Sequence, residues 1–280
     1  MAKKKNNPNI DIYELSITTT YRRRLWSKFC AAISNYKLIN DDDKICVCIS
    51  GGKDSMILAK LFMLYNKHIN KNITVKYLVM NPGYNPKNLE VIKNNIKLLN
   101  IPAEIIETNI FEIANAQDHS PCYLCAKMRR GALYRIAKEQ LGCNKIALGH
   151  HYDDVIETTL MNMLNSGSFQ TMLPKLHSDN YEGMELIRPM YYIREQDIID
   201  FRNRHNLTFI QCACKFTEGV SNGLEQSKRA ETKALIHDLL KMNPQVEQNI
   251  FKASENVILD KVLGYKDEKG VYTFLDDYDE

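Results

Sequence analysis

The feature that most constrains this fold is an alternation of short apolar runs with longer segments of helical composition. It begins at Ile45 to Ile49 (ICVCI), a run that suits a buried strand. Met56 to Asn66 (MILAKLFMLYN) has the composition of a helix, and Thr74 to Met80 (TVKYLVM) that of a second strand. Asn81-Pro82-Gly83 punctuates that strand's end, Leu89 to Leu99 reads as helical, and Ala103 to Glu107 (AEIIE) reads as a brief strand. Met128 to Leu141, Lys145 to Leu148 (KIAL) and Asp153 to Leu164 then repeat helix, strand and helix. Such repetition predicts an α/β protein with a doubly wound, mainly parallel sheet. Upstream, Tyr21 to Tyr36 reads as a helix whose Leu25, Phe29 and Ile33 recur every fourth residue, as a face packed on the body requires. Residues 1 to about 12 and Asp276 to Glu280 read as polar, frayed ends, and the chain from Glu195 onward reads as mostly helical.

Between the first strand and its helix lies Ser50-Gly51-Gly52-Lys53-Asp54-Ser55. Glycines there let the backbone approach a ligand, and unpaired N–H groups at the helix start attract an anion, so the segment predicts a phosphate site. Lys53 and the two serines suit contacts to phosphate oxygens, and Asp54 suits a magnesium ion or the ordering of the loop. The pattern is neither the longer Gly-Lys-Ser/Thr loop nor the dinucleotide fingerprint. A tight Gly-Gly turn without a ligand is the competing reading. Gly149-His150-His151-Tyr152-Asp153-Asp154 also follows a strand and opens a helix, which puts it on the same carboxyl edge of the sheet. It is expected to form the second wall of that site. A helix cap is the alternative for either Asp.

The chain has eight cysteines and no apolar leader, so thiols, metal ligands or catalytic groups are expected rather than disulfides. Cys122 and Cys125 (PCYLC) form a Cys-x-x-Cys pair expected just before a helix, a spacing that directs two thiolates to one metal or cluster. Cys212 and Cys214 (QCAC) supply further sulfur, and zinc and an iron–sulfur cluster stay equally open on spacing alone. Cys46 and Cys48 share a strand face and read as small core residues, and Cys30 and Cys143 read as structural.

SGGKDS, PCYLCAKMRRGALYRIA, KIALGHHYDDVIETTLMNM, Pro174-Lys175-Leu176 and Ile187-Arg188-Pro189 occur in an order that resembles the tRNA 2-thiocytidine synthases of the PP-loop superfamily, over about residues 20 to 255. The resemblance implies a PP-loop ATP-binding domain at 41–194, an N-terminal extension and helix at 1–40, and a helical region at 195–280 that contributes the third cluster cysteine. It implies cleavage of ATP between the α and β phosphates, adenylation of a base oxygen, and transfer of sulfide held by a 4Fe-4S cluster. Cys122 and Cys125 match the first ligand pair, and the third ligand maps onto Cys212, with Cys214 the alternative because this chain has Gln211-Cys212-Ala213-Cys214 where the family has Cys-x-x-Cys. The implied cofactors are the 4Fe-4S cluster, ATP and Mg2+; the implied partners are tRNA and a cysteine desulfurase or other sulfur donor. The Gly149 to Asp154 segment is implied to be part of the nucleotide and catalytic pocket, with Gly149 and His150 at the nucleotide and Asp153 or Asp154 at magnesium or the base. Of Arg129, Arg130 and Arg135, at least one is expected to meet phosphate of ATP or RNA, with Arg129 and Arg130 the candidate RNA contacts.

Hydrophobic residues at 44% and charged residues at 25% are ordinary for a globular protein, and no apolar run approaches a membrane-spanning length. A cytoplasmic enzyme without membrane contact is therefore expected. The net charge of +3 alone implies no nucleic-acid partner, although Lys3-Lys4-Lys5 and Arg22-Arg23-Arg24 concentrate positive charge. No sequence feature sets the oligomeric state; a homodimer stands among the partners considered. The alternatives to tRNA thiolation are a PP-loop thiolase or ligase acting on another nucleoside or small molecule, and a non-catalytic iron–sulfur or nucleotide sensor.

Overall fold

A computed structural model of the chain describes residues 11–69, 71–115, 121–210, 228–276 and 278. They divide into two compact units, one spanning Met1–Asp154 and Leu173–Gln226, the other Val155–Met172 and Ser227–Glu280.

In the first unit, six strands form one sheet: β1 (Lys44–Cys48), β2 (Thr74–Asn81), β3 (Ala103–Glu107), β4 (Lys145–Ala147), β5 (Lys175–His177) and β6 (Glu185–Ile187). Their order is β3-β2-β1-β4-β6-β5, parallel throughout except for the antiparallel β5–β6 pair. The helices are α1 (Ile12–Thr18), α2 (Ser27–Asn35), α3 (Lys53–His68), α4 (Pro86–Leu98), α5 (Ile110–Asn115), α6 (Pro121–Arg135), the start of α7 (Tyr152–Ser166) and α8 (Glu195–Arg204). The alternation of side chains along a strand sorts the core onto both faces of the sheet. Ile45, Val47 and Ile49 join Tyr77, Val79 and Ile187 in one buried cluster, whereas Cys46 and Cys48 join Leu78, Met80, Ile146 and Leu186 in the other. The first face is covered by residues of α2, α3, α4 and α8, the second by Tyr134, Ile136 and Ala137 at the end of α6 and just beyond it. This is the expected doubly wound sheet, with both faces dry.

The helix read over Tyr21 to Tyr36 is a π-helical turn at Arg22–Trp26 running into α2, and Leu25, Phe29 and Ile33 are buried as their spacing requires. Burying three such side chains contributes about 1.5–3 kcal/mol each. The Cys-x-x-Cys pair is a correction. It lies within α6 rather than before it, because Pro121 at the helix's first position has a preset φ and no N–H to lose, so the helix starts seven residues ahead of the expected Met128. Asp11 and Ile12 correct the reading of residues 1 to about 12 as frayed: α1 starts at Ile12, and Asp11 caps it by accepting from the Tyr13 and Glu14 amides. Asp11 also joins Glu14 around the fully buried Lys60 of α3.

The second unit holds the rest of α7, α9 (Lys228–Met242), α10 (Val246–Ala253) and a two-stranded antiparallel hairpin, β7 (Gly264–Lys266) and β8 (Val271–Thr273), which the mostly helical reading did not foresee. Arg229 of α9 donates to the buried carboxylate of Glu157 on α7 at 3.2 Å. No helix among the described residues is long and apolar enough to cross a membrane.

Candidate active site

In an open α/β sheet, ligands bind beyond the carboxyl ends of the strands where the strand order reverses. Here that point lies between β1 and β4. Two loops leave the sheet there: residues 49–52 after β1 and residues 148–151 after β4.

The first loop is tied by its own serines. Ser55 Oγ accepts from the Ser50 amide at 3.1 Å, lies 3.2 Å from Ser50 Oγ, and donates to the Gly52 carbonyl at 3.0 Å. Tyr84, just past β2, donates its hydroxyl to the Ser50 carbonyl at 3.1 Å. The two glycines do different work. Gly51 has φ +89°, and a Cβ there would stand 2.6 Å from Ile92 Cγ1 and 2.8 Å from Ile210 Cδ1. Gly52 is the N-cap of α3 with no capping side chain, so the first amides of the helix face outward without one. Those amides and the helix dipole make an anion site.

The second loop approaches the first closely. A Cβ on Gly149 would meet the Asp54 carbonyl carbon and the Ser55 nitrogen, both at 3.0 Å. The adjacent aspartates then part company. Asp154 caps α7, its Oδ2 accepting from the His151 amide at 3.0 Å, and it faces the cavity described below. Asp153 accepts from Arg194 Nη2 at 2.9 Å and from the Glu195 amide at 2.6 Å, so it fixes the start of α8. Glu195 in turn reaches Lys53 Nζ at 2.9 Å, and Lys53 also pairs with Asp54 Oδ2 at 3.1 Å. Burial works against the Lys53 charge, but Asp54 and Glu195 outweigh it and its pKa is raised. Asp54 moves the same way for a different reason. Burial pushes its carboxyl above the ordinary carboxylate value, and the charges of His151 and Lys53 offset only part of that. Its Oδ1 has no hydrogen-bond partner and lies 3.8 Å from His151 Nε2.

These loops enclose a cavity of about 370 Å3, within the range of small-molecule sites. Ser50, Asp54, Ser55, Gly149, His150 and Asp154 all line it, which brings together six of the residues expected from the two loops. Arg129 and Leu133 of α6 form part of its wall. Gly52 and Lys53 line a separate opening of about 880 Å3 beside Glu195 and Arg202, with Asp54 common to both. Arg130 does not accompany Arg129. It lines a third cavity of about 550 Å3 with Lys127, Tyr134 and Tyr181.

Among the described residues no group of three or more His, Cys, Asp or Glu forms a metal centre. Magnesium requires less, because it commonly takes one or two carboxylates and completes its shell with water and substrate phosphate. The orphaned Oδ1 of Asp54, with Asp154 on the same cavity, fits that donor set. The thiol donors are partly placed. Cys122 belongs to α6, and Cys125, one turn further on, is half-buried against both core clusters. Cys125 also lies near the phosphate loop: burial pushes the Tyr84 phenol up, Arg129 counteracts this and Cys125 adds to it. Cys212 and Cys214 fall outside the described residues. Ile210, two positions before Cys212, lies against Gly51. Cys30, Cys46, Cys48, Cys125 and Cys143 carry no disulfide.

His151 was read only as part of the second-wall segment, and Tyr84, Arg194 and Glu195 were not singled out as site residues from sequence. Of the last three, only Tyr84 had a local signal: it follows the Asn81-Pro82-Gly83 turn at the carboxyl end of β2, the edge where the site was expected.

Comparison with known proteins agrees with this geometry. Residues 22–216 match the PP-loop domain family. The tRNA-cytidine(32) 2-sulfurtransferase of Paraburkholderia xenovorans is 34% identical over 250 residues, covering 87% of this chain and 71% of that relative. The enzyme of the same description from Geotalea uraniireducens is 33% identical over 86% of this chain and 96% of its own length. Among solved structures, the U34-tRNA thiolase NcsA from Methanococcus maripaludis with its 4Fe-4S cluster superposes with a TM-score of 0.64 at 21% identity, covering 82% of this chain and 76% of that one, a likeness of fold. The chain belongs to the PP-loop family and, within it, to the tRNA-cytidine 2-sulfurtransferases, a family of transferase enzymes.

Proposed function

We propose that this chain is an ATP-dependent tRNA thiolase that exchanges the O2 oxygen of an anticodon-loop cytidine for sulfur. The observation that carries the reading is the cavity at the switch point, which has the phosphate loop on one side and the cysteine-bearing helix α6 on the other. ATP lies with its phosphates at the N-terminus of α3 and the Ser50 and Ser55 hydroxyls, where preset amides stabilise negative charge without reorganising. Asp54 and Asp154 hold magnesium on the phosphates. The base oxygen attacks the α-phosphorus, the bond to the bridging oxygen breaks, and pyrophosphate leaves. C2 of the base now carries AMP as a leaving group. Sulfide adds to C2, the C2–O bond breaks, and AMP departs with the original oxygen, so the exchange needs no net oxidant or reductant.

A 4Fe-4S cluster on Cys122, Cys125 and Cys212, with Cys214 as the alternative third ligand, supplies that sulfide when bound. The chain's own residues position the reactants. Arg129 balances phosphate charge at the wall, Tyr84 fixes the loop through the Ser50 carbonyl, and Asp153 fixes Arg194 and the start of α8, from which Glu195 restrains Lys53. The sulfur comes to the protein from a cysteine desulfurase or another donor. The test is anaerobic incubation of purified, cluster-loaded protein with Mg-ATP, sulfide and unmodified tRNA. AMP and pyrophosphate formed in step with 2-thiocytidine are expected. AMP formation that needs no RNA, or that follows a small nucleoside instead, would replace tRNA thiolation with the ligase reading.

A further inference from the structure

Consecutive residues on an α-helix point about 100° apart, so Arg129 and Arg130 serve different surfaces. Arg129 faces the nucleotide cavity, and Arg130 faces the cavity it shares with Lys127, Tyr134, His177 and Tyr181. A third guanidinium stands close to this second surface. Arg188 follows the end of β6, with its amide bonded to the Pro174 carbonyl at 2.8 Å and its Nη1 donating to the Leu173 carbonyl. Its Nε is buried and has no hydrogen-bond partner. Arg130 and Arg188 both bear on the Tyr134 phenol, which lines the cavity.

Among the described residues no carboxylate forms an ion pair with Arg129, Arg130 or Arg188, whereas the buried Lys60 pairs with Asp11 and Glu14 and the buried Lys145 with Asp43 and Glu185. The one carboxylate on the cavity wall is Asp179. Burial pushes the Arg188 guanidinium down to about 10; the Tyr191 and Tyr134 hydroxyls and the Asp154 carboxylate offset part of this, and the neighbouring Arg130 charge adds to it. Partial desolvation of the Arg188 guanidinium is costly, and a bound anion offsets that cost.

We propose that Arg130 and Arg188, with Lys127 at the margin, form a second anion site on α6, separate from the nucleotide cavity, that holds a backbone phosphodiester of the RNA substrate beside the nucleotide being modified. The proposal rests on the tRNA reading above and adds to it the surface that takes the strand. ATP does not fill this role, because its phosphates are served by the loop on the other cavity. The aromatic lining points to a nucleic-acid strand as well. Tyr181 stacks on Tyr134 with ring centroids 5.3 Å apart and planes at 10°, and its hydroxyl is anchored on the Gly131 carbonyl at 3.0 Å. Cations interleaved with aromatic rings suit a single strand, whose phosphates and bases alternate.

The experiment uses the cluster-loaded protein and the variants Arg130→Gln, Arg188→Gln and Arg188→Lys. It measures the affinity for unmodified tRNA against salt concentration, and separately the affinity for Mg-ATP. Each Gln variant is expected to weaken tRNA binding roughly tenfold or more, as loss of a charge-assisted hydrogen bond implies. The slope of log affinity against log salt falls by about one per phosphate contact removed. ATP affinity stays at the wild-type value, and Arg188→Lys retains part of the RNA binding. Arg130 is exposed, so its variant carries the test if Arg188→Gln fails to fold. Unchanged tRNA affinity and salt slope in Arg130→Gln would overturn the site, and weaker ATP binding with tRNA binding intact would reassign it to nucleotide phosphate. A wild-type protein that binds no tRNA would instead refute the tRNA reading, and this proposal with it.

Discussion

Gly51 and Gly52 are adjacent in one motif, yet replacing each by alanine has very different expected costs. At Gly51 the backbone has φ +89°, which costs an alanine roughly 1–2 kcal/mol. The new methyl would also stand 2.6 Å from Ile92 Cγ1 and 2.8 Å from Ile210 Cδ1, distances that force side chains of the core to move. Overpacking of that kind costs about 1–3 kcal/mol, so Gly51→Ala should destabilise the PP-loop unit by roughly 2–5 kcal/mol. At Gly52 the methyl meets nothing nearer than Ser50 Oγ at 3.7 Å, and the backbone is ordinary extended chain. Alanine is a poor N-cap, and Gly52→Ala should cost about 1 kcal/mol or less. Urea unfolding followed by tryptophan fluorescence measures both, since Trp26 packs against the core that contains Ile92. Equal midpoints for the two variants, or a less stable Gly52→Ala, would refute the division of roles between the two glycines.

Asp54→Asn should raise stability at neutral pH. Burial raises the Asp54 pKa in the fold, so its contribution is fully present below the unfolded value and is lost as pH rises through the folded one. The advantage of the variant should therefore shrink as pH falls through that window, and an advantage independent of pH would contradict the account. Turnover should be abolished by Asp54→Ala or Lys53→Ala with the cluster absorbance retained, because the loop and α6 are separate segments; loss of the spectrum in a folded variant would count against that. Tyr84→Phe deletes the bond to the Ser50 carbonyl and should weaken ATP binding by about 0.5–1.5 kcal/mol, read by calorimetry, with unaltered affinity as the opposing result. Cys212→Ala should lose both cluster and thiolation while Cys214→Ala keeps the cluster. The inverse pattern would move the third ligand by two residues.

The parts of this protein legible in its sequence are those with local signals. Ile45 to Ile49 announces a buried strand because both sheet faces are dry, and Ser50 to Ser55 announces an anion site because its glycines follow that strand. Strands β4 to β8 are three residues each, too short for periodicity to show; β4 was legible only from the apolar run Ile146-Ala147-Leu148 between two helical segments. The start of α6 was misplaced because the Pro-Cys segment lacks an apolar face, although proline in a first turn favours a helix. The contact of Glu195 with Lys53 spans 142 residues of chain, and nothing local to either residue encodes it. Nor does spacing show that Asp153 serves α8 while Asp154 faces the cavity, or that two neighbouring arginines line two different cavities.

The central claim, that this PP-loop enzyme places sulfur on a tRNA cytidine, is tested most directly by nucleoside mass spectrometry of tRNA from cells with and without the gene. The account predicts 2-thiocytidine in the tRNA of the parent, its loss in the deletion strain, its return with the wild-type gene, and no return with Asp54→Ala or Cys125→Ala. Identical thionucleoside profiles in parent and deletion strains, where the parent tRNA contains 2-thiocytidine, would contradict it.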